Sequence, residues 1–554
     1  MKNDLNFFSF LPGSLEQGIS KAMEHLKKED ALNRLWQHDY TLWSNKKDEI
    51  VNRLGWLNLH DSMQPKLNEI EEIAHQLQEE RFEHAILLGM GGSSLAPEMF
   101  SKIFKEQPGF LDLKVLDSTD PGAVKNIHKG LELQKTIFIV SSKSGGTVET
   151  LSFFKYFYNL LGNQLGEEST GRYFIAITDP GSPLEKLGYK LNFRKVFLND
   201  PNIGGRYSAL SFFGLVPAGL VGIDIKSLLE QARIAAENNQ SDSKTQASIA
   251  AMLGGLIGIG ALNGKDKLTF ISDGTISSFS DWIEQLIAES SGKSGTGIVP
   301  VVGEQLAADI SAYGPDRLFV ILSFGDANKF EVISEKLKSA GHPVVYFRIS
   351  NKYQIGRLIL IWEIATALAG HIMNIHPFNQ PNVEAAKELA RETVKAYQET
   401  GQLPDQLNQK LTPEAIERFL SEINPGDYIA IQAFVNPTDQ VSKAFREFQT
   451  VLRDKYKTAV TFGYGPRFLH STGQLHKGDS GNGLFLQFIS ESDIKLNIPI
   501  QAGSQESFIT FDVLKRAQAI GDARALRNVG RRLISFYLNE PITDQIREIS
   551  TRII

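Results

Sequence analysis

The sequence predicts an α/β protein with two doubly wound, mainly parallel-sheet lobes and an additional C-terminal α+β unit. The first observation behind this is length, since 554 residues exceed what one hydrophobic core usually organises. The second is the alternation of short apolar runs with helical patterns from His84 onward, which is typical of βαβ units. The third is composition: 42% hydrophobic and 22% charged residues are ordinary for a globular protein.

Changes of pattern divide the chain into four segments. They are a helical N-terminal segment (1–82), a first lobe (83–240), a second lobe (241–400) and a C-terminal unit (401–554). The crossing between the lobes is expected in the polar stretch 235–246, and a helical tail is expected over 511–539.

The predicted strands are short β-branched or aromatic runs flanked by turn residues. In the first lobe they are 85–88, 113–116, 136–140, 173–177 and 195–198. In the second lobe they are 268–272, 297–302, 318–323 and 344–349, and in the C-terminal unit 427–435, 458–462 and 483–488. Apolar helices are predicted at 212–220, 278–289 and 355–373.

Composition also narrows the function. A net charge of -6 gives no reason to expect nucleic acid or an anionic membrane as a partner. The chain has no cysteine, which excludes disulfides, thiolate metal sites and a cysteine nucleophile, and fits a reducing compartment. The apolar stretch Ala247–Leu262 holds four glycines and is shorter than the roughly 18–20 residues of a membrane span. We therefore expect a buried helix there and a cytoplasmic protein without a signal peptide.

The strand at 136–140 runs into a loop of hydroxyls, one lysine and two glycines, followed by a helical pattern from about Thr147. Backbone N–H groups and the positive end of the helix dipole make such a loop a candidate phosphate site. The polar side chains available to an anion are those of Ser142, Lys143, Ser144, Thr147 and Thr150. The spacing is not that of a Walker loop, and a polar turn with an ordinary helix cap is the alternative.

A second turn, Gly89-Met-Gly-Gly-Ser-Ser94, follows the first predicted strand. It resembles a dinucleotide-binding turn, with Asp117 near the end of the next strand, but the third fingerprint position holds Ser94. Two anion-binding turns at the carboxyl edge of one sheet suit a sugar phosphate better. One turn would hold the phosphate, and the other would lie along the hydroxyls.

The helix at 278–289 ends in a candidate general base. Gln285 and Glu289 are i, i+4 neighbours beside its apolar stripe, so both face the same space. A positioned carboxylate can abstract a proton from carbon, although a surface glutamate is the alternative. Arg206, between glycines and an apolar helix, could hold oxyanion charge or could pack domains together. Lys387 lies in the second turn of a helix that starts near Asn382, where a functional role and a purely structural role are both open.

Taken together, these segments resemble the phosphoglucose isomerase family, a two-lobed sugar-isomerase fold, from about Leu32 to the C-terminus. The resemblance is closest to the isomerase half of bacterial transaldolase fusions, but no transaldolase half is present and no aldol chemistry is inferred. The motifs that carry it are Gly89–Ser94, Ser142–Thr147 with Glu149 and Thr150, Gly204–Ser208, Glu289–Lys293 and Phe378–Lys387.

The resemblance implies reversible isomerisation of glucose 6-phosphate and fructose 6-phosphate through a cis-enediolate. It assigns the phosphate to Ser142, Lys143, Ser144, Thr147 and Thr150, and the sugar to Gly91, Gly92 and Ser93. Glu289 would shuttle the proton between C1 and C2 beside Gln285, Arg206 would stabilise the enediolate, and Lys387 would help to open the ring. No metal or redox cofactor is needed.

Two features depart from the family pattern. Asn382 stands where the family usually has glycine. The ring-opening histidine, which many members supply from the partner subunit, lacks its usual motif. The candidates are His371, His376 and His476, and we choose His376 because it adjoins a matched segment. The glycine-rich loop Gly463–Gly478, with Arg467, His470, His476 and Lys477, is expected to cover the site, bind an effector or form a subunit contact.

The expected partners are a hexose phosphate and a second copy in a homodimer, without nucleic acid or membrane. Two alternatives stay open at this point. One is a dual-specificity isomerase that also accepts mannose 6-phosphate. The other is a non-catalytic sugar-phosphate regulator, although no basic helix-turn-helix segment is evident.

Overall fold

A computed structural model describes residues 7–105, 107–241, 248–325, 328–404 and 409–553 of the chain. The predicted crossing between the lobes lies partly outside these residues. Runs predicted as strands form strands, with ends shifted by at most two residues. The α/β class and the two parallel lobes are confirmed, while the four-segment division stays a prediction.

The N-terminal segment and the first lobe come first along the chain. The strands are β1 (Phe8–Leu11), β2 (His84–Gly89), β3 (Asp112–Leu116), β4 (Thr136–Ser141), β5 (Phe174–Thr178) and β6 (Lys195–Leu198). The helices are α1 (Glu16–Lys28), α2 (Ala31–Trp36), α3 (Leu59–Ser62), α4 (Leu67–Glu79), α5 (Leu95–Phe104), α6 (Pro121–His128), α7 (Val148–Leu165), α8 (Glu167–Thr170), α9 (Pro183–Lys190), α10 (Phe212–Leu220) and α11 (Ile225–Ser241). Strands β2–β6 form one parallel sheet in the order β3-β2-β4-β5-β6.

The second lobe is built on another mainly parallel sheet. Its strands are β7 (Lys267–Ser272), β8 (Val299–Val301), β9 (Arg317–Phe324) and β10 (Val344–Ile349). Its helices are α12 (Ile249–Leu262), α13 (Ser278–Ser291), α14 (Asn328–Ser339), α15 (Gln354–Ile372) and α16 (Val383–Thr400). The sheet order is β1-β10-β9-β7-β8.

The N-terminal segment is not purely helical, because β1 joins the second lobe as an antiparallel edge strand. Phe8 pairs with Phe347 of β10, and their rings lie 5.1 Å apart. The run Phe8–Leu11 is too short for a helix and alternates aromatic side chains that a sheet edge can bury.

Residues 409–553 are called the third unit here. Its strands are β11 (Tyr428–Phe434), β12 (Ala459–Tyr464), β13 (Gly483–Ser490), β14 (Asn497–Pro499), β15 (Ser507–Thr510) and β16 (Arg532–Leu538). Its helices are α17 (Pro413–Leu420), α18 (Asp439–Tyr456), α19 (Gly473–Gly478), α20 (Phe511–Asn528) and α21 (Ile542–Ile553). The main sheet, in the order β12-β11-β13-β16, is parallel throughout, so the predicted α+β class is wrong for this unit.

The predicted helical tail is also wrong, because a strand interrupts it. Gly530 adopts a left-handed φ of 73° just after α20, and β16 then pairs in parallel with β13. The run Arg532–Leu538 is an edge strand of the main sheet, and most of its apolar residues are buried without a helical period.

The segment Gly463–Gly478 is not an open loop. A 3-10 turn at Arg467–His470 and helix α19 fold it against both lobes, and every residue of α19 is buried. Its glycines allow backbone to approach backbone where a side chain would separate the two.

Two apolar helices run through the core. Helix α12 is buried along most of its length, as predicted. Among the described residues, α15 alone is long and apolar enough to cross a membrane by length and composition, and 89% of its most apolar window is buried inside the protein. A core helix accounts for that pattern.

The contact between α13 and the segment Gly463–Gly478 contains an acidic residue with an altered pKa. Burial, and then the neighbouring Asp281, raise the pKa of Glu284 to about 8. A carboxyl group whose pKa is raised on folding stabilises the fold below its unfolded pKa of about 4.3, and this contribution is lost as the pH rises through about 8.

Replacing this carboxyl group should therefore stabilise the protein at alkaline pH. We expect Glu284→Gln to raise Tm relative to wild type at pH 9, with a smaller difference at pH 4.5, because the amide cannot ionise. The free-energy equivalent is at least about 1 kcal/mol, since one pKa unit corresponds to about 1.4 kcal/mol. Calorimetry at both pH values measures it, with Glu335→Gln on the exposed face of α14 as the control. An equal change at both pH values would contradict the assignment.

Candidate active site

The site lies at the carboxyl edge of the first sheet. Strands β2 and β4 are neighbours there, and the chain leaves them in opposite directions, toward β3 and toward β5. The crevice beyond such a switch point is where ligands bind in doubly wound sheets. Both predicted anion-binding turns, Gly89–Ser94 and Ser142–Thr147, occupy this crevice.

The loop after β4 is ordered by its own polar groups. Ser142 Oγ and Thr147 Oγ1 are 2.9 Å apart, and Ser144 Oγ accepts a hydrogen bond from the N–H of Gly146 at 3.3 Å. Lys143 does not extend into the crevice, because its ammonium group pairs with Asp179 and donates to a backbone carbonyl at 3.1 Å. The lysine thus stabilises the loop through its side chain.

Helix α7 begins in this loop with free polar groups. Thr147 is its N-cap residue and makes no capping hydrogen bond through its side chain. Thr150, in the first turn, is fully buried, and its hydroxyl has no partner among the described residues. Unpaired N–H groups, the helix dipole and an orphan hydroxyl together favour an anion at this point.

The glycine turn packs against two other parts of the site. Gly91 has a left-handed φ of 55°, and a Cβ atom there would lie 3.0 Å from Gln285 Nε2. A Cβ atom at Gly92 would lie 2.1 Å from the carbonyl oxygen of Gly205, so no side chain fits. Ser93, at the end of the turn, is buried. The turn is therefore held next to the helix of Glu289 and the turn of Arg206.

The centre of the site is a buried ion pair between the lobes. Arg206 Nη1 lies 3.2 Å from Glu289 Oε1, and the two side chains are only 3% and 10% exposed. Gln285 Nε2 donates to Glu289 Oε2 at 3.1 Å, so both carboxylate oxygens are engaged. Arg206 also donates from Nε to Ser290 Oγ at 2.8 Å. These contacts fix the carboxylate in one orientation.

The turn before α16 contributes backbone acceptors. Arg206 Nη2 donates to the carbonyl oxygens of Pro377 at 2.6 Å and Asn379 at 3.1 Å. Lys293 donates from Nζ to the carbonyl oxygen of His376 at 2.6 Å. Burial, followed by the charge of Arg206, holds the pKa of Lys293 well below its usual range. Arg206 and Lys293 thus both donate hydrogen bonds to backbone carbonyls of this turn.

Three histidines that the sequence suggested for ring opening have other environments. His376 donates from Nε2 to the carbonyl oxygen of Asp48 at 3.2 Å and accepts at Nδ1 from the N–H of Phe378 at 3.1 Å. Both of its ring nitrogens are therefore occupied by backbone. His371 donates to a carbonyl oxygen at 2.7 Å, and His476 is buried beside Gln432 with a pKa well below normal because of burial.

His470 is the histidine that reaches the site, and sequence reasoning did not choose it. Its Nε2 donates to Glu149 Oε1 at 2.9 Å, and its carbonyl oxygen accepts from Gln285 at 2.9 Å. Burial alone would raise the pKa of Glu149, but the charge and hydrogen bond of His470, with Lys387 further away, outweigh burial and lower it. Glycine density and basic residues in Gly463–Gly478 were the available signal. They did not reveal a partner 321 residues away.

Lys387 lies at the open side of the site. Its side chain is 41% exposed and pairs with Glu384 at 3.5 Å, an i, i+3 contact on α16. Its charge still contributes to the lowered pKa of Glu149. The structure therefore gathers Glu289, Gln285, Arg206 and Lys387 around the two anion-binding turns and leaves His376 outside.

Known proteins match much of this chain. The phosphoglucose isomerase family matches residues 58–310. A glucose-6-phosphate isomerase of Prochlorococcus marinus is 28% identical over 407 residues, which cover 66% of this chain and 76% of that protein. A probable glucose-6-phosphate isomerase of Methanococcus maripaludis is 28% identical over 63% of this chain and 85% of its own length.

Solved structures share the fold. A hypothetical protein of Thermus thermophilus has a TM-score of 0.60 and 25% identity, over 70% of this chain and 99% of its own. A glucose-6-phosphate isomerase of Chlamydia trachomatis has a TM-score of 0.53 and 18% identity, over 71% and 81% of the two chains. The match to the phosphoglucose isomerase family, over residues 58–310, includes the two turns, Arg206 and Glu289.

Proposed function

We propose that this protein is an aldose–ketose isomerase that interconverts glucose 6-phosphate and fructose 6-phosphate. The observation that carries the proposal is the buried Glu289 carboxylate, held 3.2 Å from Arg206 and 3.1 Å from Gln285 beside the two anion-binding turns. A fixed carboxylate next to a permanent cation suits proton transfer between adjacent carbons. The named relatives support the same reaction.

The ion pair explains how charge is managed during isomerisation. Glu289 removes the proton from C2 of the open-chain aldose and becomes neutral, while negative charge develops on the oxygens at C1 and C2. Arg206 keeps its proton, so its positive charge first balances the Glu289 carboxylate and then the negative charge on the enediolate oxygens. The proton of the C2 hydroxyl moves to the oxygen at C1, and Glu289 then returns its own proton to C1, which leaves the carbonyl group at C2. Donors in place before the reaction typically contribute about 2.7–4 kcal/mol each to stabilising such an oxyanion.

Ring opening requires a separate acid–base group, for which we propose His470. Glu149 engages Nε2 of its ring, which leaves Nδ1 to exchange a proton with the sugar. In glucose 6-phosphate, O5 is protonated as the C1–O5 bond breaks, and the C1 hydroxyl loses its proton to give the open-chain aldehyde. In fructose 6-phosphate the C2–O5 bond breaks, and the C2 hydroxyl loses its proton to give the open-chain ketone. His470 replaces His376 in this role, and Lys387 keeps its supporting position.

The phosphate is expected in the loop Ser142–Thr147 and at the start of α7, with Thr150 beneath it. Binding energy gathered there, away from C1 and C2, can position the carbons against Glu289. Gly91, Gly92 and Ser93 would lie along the sugar, because only small residues leave room for it.

Several finer expectations accompany this proposal. A homodimer, a cytoplasmic location and particular closeness to transaldolase fusions remain predictions from the sequence. Sedimentation velocity would measure the oligomeric state. Competition between glucose 6-phosphate and mannose 6-phosphate in one assay would reveal dual specificity.

The direct test of the reaction is a coupled assay from fructose 6-phosphate. Glucose-6-phosphate dehydrogenase reports the product through NADPH formation. We expect a rate proportional to the amount of protein. A rate equal to the blank at high protein concentration would contradict the proposed function and favour a non-catalytic regulator.

Glu289→Gln should lower kcat by at least about 100-fold with little change in KM, because the amide binds similarly but cannot accept the proton. The coupled assay measures both constants. Glu284→Gln is the matched control, since it makes the same chemical change on the same helix without touching Arg206. Near wild-type turnover of Glu289→Gln would show that another group is the base.

His470→Ala should impair ring opening more than isomerisation. With fructose 6-phosphate we expect a rate loss of at least about 10-fold, since positioned acid–base groups contribute about 10²–10⁴. With 5-deoxyfructose 6-phosphate, which lacks O5 and carries phosphate on O6 and so stays open, the loss should be much smaller. Deuterium uptake at C1, followed by NMR, measures both substrates. His376→Ala should show no such difference, and equal losses for His470→Ala on both substrates would contradict its role.

A further inference from the structure

The third unit touches each of the three segments that carry the proposed chemistry, and it does so at glycines. A Cβ atom at Gly91 would lie 2.7 Å from the carbonyl oxygen of His470. One at Gly292, just beyond Glu289 on α13, would lie 2.3 Å from Leu475 Cα. Each added Cβ atom would collide with backbone, so moving a side chain could not make room for it. The backbone of the third unit therefore packs directly against the backbone of these segments.

The third contact holds the helix of Lys387. On α20, a Cβ atom at Gly521 would lie 2.7 Å from the backbone nitrogen of Ala390 and 2.9 Å from the carbonyl oxygen of Ala386. Ala386 immediately precedes Lys387 on α16. The third unit thus sets the distance of this lysine from the crevice.

Two buried glutamines of the third unit extend into the site. Gln518 Nε2 donates to Glu149 Oε1 at 2.6 Å, while Gln518 Oε1 accepts from Thr119 at 2.8 Å. Glu149 Oε1 therefore accepts hydrogen bonds from both His470 and Gln518. The orientation of the carboxylate, and with it that of the imidazole, is determined by the third unit.

Gln474 makes the second bridge. Its Nε2 donates to the carbonyl oxygen of Gly292 at 2.8 Å and to Asn382 Oδ1 at 2.8 Å, and its Oε1 accepts from the N–H of Asn382 at 2.9 Å. One fully buried side chain thus links the end of α13 to the start of α16. Those are the helices of Glu289 and Lys387.

Buried ion pairs attach the unit to the first lobe. Lys515, which is fully buried, lies 2.8 Å from Asp120. Arg467 lies 2.7 Å from Asp117 and also pairs with Glu98. Such pairs hold only when both charges stay together, so a third unit that swung away would leave charges unpaired.

From these contacts we infer that the third unit completes the active site within a single chain, so that turnover does not require a residue from a second copy. This rests on the proposed function. His470 is the group it contributes to the chemistry, and Gln518 and Gln474 are positioning residues. A homodimer is compatible with this inference.

Subunit complementation tests the inference. Chains carrying Glu289→Gln and chains carrying His470→Ala are co-expressed with different tags, and species that hold both tags are isolated, with total protein assayed in parallel. If the site is complete in one chain, activity equals the mean of the two variants assayed alone. If His470 serves a partner's site, one of the two sites in each mixed dimer is intact. Random pairing makes half of the dimers mixed, so the total protein regains up to about a quarter of wild-type activity.

Wild-type protein assayed alongside distinguishes failure of the proposed function from failure of this inference. No wild-type activity contradicts the proposed function. Wild-type activity with restored activity in the mixture contradicts only the present inference. Turnover per chain should also stay constant on dilution to concentrations at which mass photometry detects monomers alone, and a fall in parallel with dissociation would overturn the inference.

The positioning role of Gln518 has its own measurement. Gln518→Leu should reduce the rate with fructose 6-phosphate by several-fold more than the rate with open-chain 5-deoxyfructose 6-phosphate, because the Glu149–His470 pair loses a donor. Gln505→Leu, on an exposed residue of the same unit, should leave both rates unchanged. Equal losses on both substrates would show that Gln518 has only a structural role. A normal rate for Gln518→Leu would exclude the positioning role.

Discussion

The pairing of Arg206 with Glu289 is the constraint on which the arrangement of the lobes depends. A charge taken out of water must find an opposite charge and full hydrogen bonding, or it destabilises the fold. Arg206 belongs to a turn of the first lobe, Glu289 to a helix of the second, and Pro377 and Asn379 to the turn before α16. One guanidinium group can satisfy all of them only when the three parts are closed together. The ion pair that brings these three parts together thus also positions Glu289, the proposed base.

Glycine residues also bring parts of the site together, by leaving room for close backbone contacts. Gly92 admits the backbone of Gly205, Gly292 admits Leu475, and Gly521 admits α16. At each point the missing side chain lets two segments approach to distances that any Cβ atom would prevent. The ion pair supplies the attraction between parts of the site, while these contacts set how close the parts come.

Much of the fold could be predicted, because parallel strands buried on both faces appear as short apolar runs between helical patterns. The loop Ser142–Thr147, Arg206 and Glu289 could be chosen as candidate site residues because each belongs to a contiguous motif, and their roles stay predictions. The parallel order of the third unit and strand β16 could not, because strand pairing depends on distant partners that local periodicity does not encode. His470 escaped prediction for the same reason. Its side chain contacts Glu149, which is remote in the sequence and close only in the folded protein.

The two buried carboxylates are held by matching sets of groups, and the difference between the sets separates their roles. Each accepts a hydrogen bond from a glutamine, Gln285 for Glu289 and Gln518 for Glu149. The cation is an arginine in one case and a histidine in the other. Arginine keeps its proton at any physiological pH, so only Glu289 can gain or lose one in that pair. A histidine can exchange its proton near neutral pH, so in the second pair we propose that the imidazole reacts and that the carboxylate orients it. Under the proposed function, one carboxylate then serves as the base at carbon, and the other positions the acid–base group at oxygen.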